Sequence, residues 1–84
     1  MTINNDPILS IEEANIFLKQ LNIHIVHMNE NSDFPPKYMF SAPSFSKYTY
    51  MFGKYFYRIE FFSHEEILIA SNEIRRMFNL KAFL

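Results

Sequence analysis

Twelve of the fifteen aromatic residues in this 84-residue chain fall between Phe34 and Phe62, and they surround its only glycine, Gly53. This crowding limits what the chain can fold into. Rings repeated at close to alternate positions on both sides of a single glycine spell strand, turn, strand. Ser46 to Phe52 and Tyr55 to Phe62 are the predicted strands, and Gly53-Lys54 the two-residue turn between them. Glycine in first place suits a type II′ hairpin, because it takes positive φ without a Cβ clash. One face of a small sheet cannot hide so many rings. Some are expected at the surface, where aromatics beside Lys and Arg serve as binding surfaces.

The hairpin register sorts the side chains. In a two-residue turn, 52 faces 55, 50 faces 57 and 48 faces 59, and paired residues share a face. One face then carries Tyr48, Tyr50, Phe52, Tyr55, Tyr57, Ile59 and Phe61. The other carries Phe45, Lys47, Thr49, Met51, Phe56, Arg58, Glu60 and Phe62. Lys47 opposite Glu60 belongs in solvent, so helices are expected over the tyrosine face. The open face is left with an apolar centre, Met51 and Phe56, ringed by Lys47, Lys54 and Arg58. Tyr55 stands near the hairpin tip.

Two helices frame this region. Ser10-Ile11-Glu12-Glu13 has capping-box spacing, with Ala14, Phe17, Leu18 and Leu21 as one apolar stripe behind it. Asn22 is a left-handed stop, so the helix is predicted over about residues 11–21. Ser63-His64-Glu65-Glu66 repeats the box. Ile67, Ala70, Ile74, Met77 and Phe78 form the second stripe, and Lys81 to Leu84 are expected to dock back. Ile23 to Met28 reads as a strand, 29–36 as a loop drawn out by Pro35-Pro36, and Tyr38 to Phe40 as a short strand of unassigned pairing. The expected class is α+β: an antiparallel sheet of three to four strands with an N-terminal and a C-terminal helix on one face, in the order α-β-β-β-β-α. One domain spans 1–84, with a flexible lead over 1–8.

Bulk properties exclude several classes. The chain has no cysteine, hence no disulfide and no thiolate metal site, which favours a reducing cytoplasm. No run approaches the length of a bilayer span, and Met1 to Pro7 lacks the pattern of a signal peptide. Net charge is −1. It is unevenly spread: residues 1–36 sum to −4 and residues 37–84 to +3. That asymmetry orients the molecule toward a charged partner.

Catalytic chemistry finds little footing. His24 and His27 are three apart in a strand and point to opposite faces, so they do not share a metal. His64-Glu65-Glu66 begins like a zinc helix, but Leu68 stands where the second histidine belongs. The acid pairs Glu12-Glu13 and Glu65-Glu66 are explained by capping. One glycine leaves neither a phosphate-cradling loop nor an oxyanion turn. No catalytic residue, metal or cofactor is assigned, and no enzyme is expected.

The expected function is a small cytoplasmic protein-interaction module. Its partner-binding residues are Lys47, Met51, Lys54, Tyr55, Phe56 and Arg58, and its target is a larger protein. Size and composition are those of the inhibitors that phages and mobile elements direct at host defence proteins, an analogy without a motif. The rival expectation is single-stranded nucleic acid bound by the same face. There Lys37, Lys47, Lys54 and Arg58 interleave with rings, as stacking and phosphate contact require. The α-β-β-β-α order resembles a double-stranded RNA-binding domain. That family places lysines at the start of its last helix, however, where Ser63-His64-Glu65-Glu66 is acidic, and no residue is carried over. A homodimer seamed through the open face is the third expectation. No membrane partner is expected.

Overall fold

The computed structural model describes residues 7–42, 52–56 and 60–81. Ser10 opens helix α1, Ile11–Leu18, its Oγ accepting the Glu13 N–H at 3.1 Å. The Glu13 carboxylate reaches back one residue further than an ideal box, to the Leu9 N–H at 3.1 Å. A single 3₁₀ turn, Lys19–Leu21, tightens the helix end. Asn22 then stops it at φ 60, ψ 35, in the left-handed region that asparagine tolerates. Ala14, Leu18 and Leu21 are buried and Phe17 half-buried, as the stripe predicted.

Strands β1, His24–His27, and β2, Tyr38–Ser41, pair antiparallel, with His24 opposite Ser41 and His27 opposite Tyr38. This settles the pairing of the Tyr38 strand. Asn29 staples the loop between them: its Oδ1 accepts the Lys37 N–H at 2.8 Å and its Nδ2 donates to the Pro35 carbonyl at 2.9 Å. On the far side of β2, Phe62 and Tyr38 exchange two backbone hydrogen bonds of 2.8 Å in an isolated antiparallel bridge.

The predicted hairpin turn is not formed. Gly53–Phe56 is one helical turn, α2. The Tyr55 N–H donates to the Phe52 carbonyl at 2.9 Å, and Gly53 does not take positive φ. The physical reason lies in the core. A hairpin would send Phe52 and Tyr55 to one face and Phe56 to the other. The helical turn instead brings Phe52, Tyr55 and Phe56, at i, i+3 and i+4, to one side. Phe52 and Tyr55 are buried, and Phe56 is half-buried against the same cluster. The flanking segments 46–51 and 57–59 of the expected strands lie outside the described residues. Among the described residues the sheet is therefore two-stranded, not three- to four-stranded, in an α+β fold with helices at both ends.

Helix α3, His64–Lys81, starts with a reciprocal capping box. Ser63 Oγ accepts the Glu66 N–H at 3.2 Å, and Glu66 Oε1 accepts the Ser63 N–H at 2.8 Å. Its buried stripe is Ile67, Ala70, Ser71 and Ile74, with Met77 and Phe78 packed beside it. Ser71 was not anticipated at a core position. Its hydroxyl is satisfied by the Ile67 carbonyl at 2.7 Å, so its burial carries little penalty. The helix runs on to Lys81, and residues 82–84 of the expected docking tail lie outside the described residues. Both helices, β1, β2 and α2 contribute to one core, centred on Phe40. The Phe40 ring meets Phe62 at 5.3 Å, Phe56 at 6.2 Å and Tyr55 at 6.3 Å. Ile8, assigned by sequence to the flexible lead, is only 4% exposed and belongs to this core.

Candidate functional site

The sheet has two unlike faces. Ile25 with Phe40 and His27 with Tyr38 point toward the helices, because paired residues share a face. Val26 with Met39 and His24 with Ser41 point away from them. The bridge at Phe62 extends this rule beyond β2. Phe62 pairs with Tyr38 and is buried at 3% exposure, so its neighbour Phe61 turns to the face of Met39 and is 47% exposed. The face away from the helices thus carries a row across the sheet: Val26, Met39 and Phe61. Met28, 39% exposed, continues the alternation of β1 at one end, where its N–H donates to the Lys37 carbonyl at 2.7 Å.

This reverses the expected polarity at the end of the second predicted strand. Phe62 was placed on the open face and Phe61 under the helices. The exchange follows from the lost hairpin. With a helical turn at 53–56, the register no longer propagates from Gly53 and is set instead by the Phe62–Tyr38 bridge.

The sequence-predicted partner-binding residues divide into two groups. Lys47, Met51 and Arg58 lie outside the described residues. Lys54, Tyr55 and Phe56 form most of α2. Lys54 is exposed, with its Nζ 5.0 Å above the Tyr55 ring, a cation–π contact. Tyr55 was expected at a hairpin tip but is buried, edge-on to Phe40. Its hydroxyl donates to Glu73 Oε2 of α3. Burial pushes the Tyr55 phenol well above its ordinary value, and the hydrogen bond to Glu73 adds to the effect. Phe56 was expected at the apolar centre of the open face. It is half-buried on the opposite side, against Phe40.

The acids that acid–base chemistry would recruit have structural work: Glu13 and Glu66 cap helices, and Glu73 holds Tyr55. Among the described residues no three His, Asp or Glu side chains are grouped to hold a metal ion. His24 and His27 lie on opposite faces of β1, as their spacing predicts. No helix among the described residues is long and apolar enough to cross a membrane. The outward apolar row was missed in sequence because Val26, Met39 and Phe61 come from three segments. The one available signal was the alternation of Ile25-Val26-His27-Met28, which gives β1 an apolar residue on each face.

Comparison of the chain with protein-family models, with curated proteins and with solved structures finds no match in any of the three.

Proposed function

We propose that this protein is a small non-enzymatic interaction module that docks on a larger protein through the sheet face away from its helices. The observation that carries this reading is the outward row Val26–Met39–Phe61, with Phe61 47% exposed directly beside the buried Phe62. A half-exposed phenylalanine in an apolar row is the kind of anchor that protein interfaces bury. Lys37 and His24 supply a polar rim. Phe34, on the stapled loop between β1 and β2, is a second exposed ring, at 76%. The cytoplasmic setting and the inhibitor role suggested by size and composition belong to this proposal.

The test is capture from a lysate of the native host, split into nuclease-treated and untreated halves, with the parent chain and Phe61→Asp as baits. The reading expects one stoichiometric protein that survives nuclease and is lost with Phe61→Asp, while the variant's melting temperature stays within a few degrees of the parent. Capture that disappears with nuclease, or that Phe61→Asp leaves intact, contradicts it. In the first case a steep loss of binding with salt would mark phosphate contact instead.

A further inference from the structure

A groove of about 360 Å³ lies where the first turn of α1, the β1–β2 end of the sheet and the first residue of α3 meet. His27 and Tyr38 project from the helix-side face, so this groove is on the other side of the sheet from Phe61. Leu9, Ile11 and Ile25 give it apolar walls, and Glu12, His27, Tyr38 and His64 give it chemistry. The three rings cluster: His27 stacks on Tyr38 at 4.8 Å and 29°, and His64 meets the same ring edge-on at 6.0 Å and 62°.

Two polar groups in this groove have no partner among the described residues. Tyr38 is 8% exposed, yet its hydroxyl is hydrogen-bonded to none of them. Among the described residues no fully buried side-chain oxygen lacks a partner, so this hydroxyl meets solvent where Tyr38 lines the groove. The Glu12 carboxylate likewise makes no hydrogen bond or ion pair with the described residues, whereas its neighbour Glu13 is used as a cap. No lysine or arginine lines the site.

These features select the sign of the ligand. Two helices begin here, which would favour an anion. Their first turns, however, already hold Glu12, Glu13, Glu65 and Glu66, and serine caps have taken the N–H groups of Glu13 and Glu66. An aromatic lining, an open hydroxyl and a carboxylate without a partner among the described residues, with no lysine or arginine beside them, suit positive charge. A bare metal ion does not fit the donor set. The volume is at the lower end of the range for small organic ligands. We infer that the groove binds an organic cation: an alkylammonium or guanidinium head on an apolar stem, with the head at Glu12 and the ring cluster and the stem along Leu9, Ile11 and Ile25. This site is independent of the proposed docking face.

The test is an amide-correlation NMR titration of the ¹⁵N-labelled full chain with n-butylguanidinium, with butyrate, and with the capped tripeptide acetyl-Gly-Arg-Gly-amide. Saturable shifts are expected at Glu12, Ile25, His27 and His64 with the guanidinium and none with butyrate. Glu12→Gln, an exposed position that keeps the helix, should weaken binding about fivefold, the equivalent of about 1 kcal/mol for a partly solvated charge contact. Tighter binding of the tripeptide than of butylguanidinium assigns the cation to a partner's side chain, and weaker binding assigns it to a free small molecule. Saturation of these amides by butyrate, no saturable shift with either cation, or undiminished affinity in Glu12→Gln would overturn the inference.

Discussion

Asn72 clasps the backbone of Ile8 across 64 positions of sequence, accepting its N–H at 2.8 Å and donating to its carbonyl at 3.1 Å. The same Nδ2 donates to the Leu68 carbonyl at 2.8 Å. One side chain on α3 thus anchors the segment that leads into α1 and places Ile8 in the core. Asn72→Ala leaves both Ile8 backbone groups unpaired in a part-buried site. The expected loss is about 2 kcal/mol, from two hydrogen bonds of ordinary net worth. Urea unfolding measures it. Hydrogen exchange at the Ile8 amide should accelerate beyond what the global loss explains.

Tyr55 and Glu73 form a second tether, between α2 and α3. Tyr55→Phe should cost about 1–3 kcal/mol, because the hydrogen bond runs to a charged acceptor that the variant leaves half-buried and unpaired. The phenol also gives the pH dependence a definite sign. Its folded pKa lies above the ordinary value of about 10. The folded state therefore keeps a proton that the unfolded chain releases. The contribution of this group is fully present below about pH 10 and declines as pH rises beyond it. Phenolate absorbance above pH 10 should show Tyr55 keeping its proton in the folded chain and releasing it on unfolding. This difference should be absent in Tyr55→Phe.

Gly53 separates the helical turn from the hairpin that the sequence suggests. In the helical turn it has no positive φ, so a Cβ is harmless. Gly53→Ala should then be neutral or stabilise by about 0.5–1 kcal/mol, through loss of backbone freedom in the unfolded chain. A type II′ hairpin would respond with a loss of similar or greater size. The thermal midpoint of this one variant distinguishes the two.

Local chemistry was legible wherever it decided the outcome. Ser10, Asn22 and Ser63 mark helix boundaries because side-chain caps and a left-handed residue act within one turn of chain. The stripe of α3 was readable for the same reason, apart from Ser71, whose bond to Ile67 hides its polarity. The aromatic region was not legible. Phe52, Tyr55, Phe56 and Tyr57 satisfy a strand period and a helical period equally well, so neither pattern decides. What decides is the shared core, to which a helical turn brings Phe52, Tyr55 and Phe56 together, the last two against Phe40. The outward row was hidden in turn because its members meet only through the pairing of β1, β2 and Phe62.

The most direct test of this account is the matched pair Phe61→Ala and Phe62→Ala, compared by urea unfolding. Phe62 is core and Phe61 belongs to the docking face. Phe62→Ala should therefore lose about 3–5 kcal/mol, as core phenylalanine truncations do, while Phe61→Ala should stay within about 0.5 kcal/mol of the parent. A large loss at Phe61 with little at Phe62 would contradict the account, restoring the hairpin register and removing the surface on which the proposed function rests.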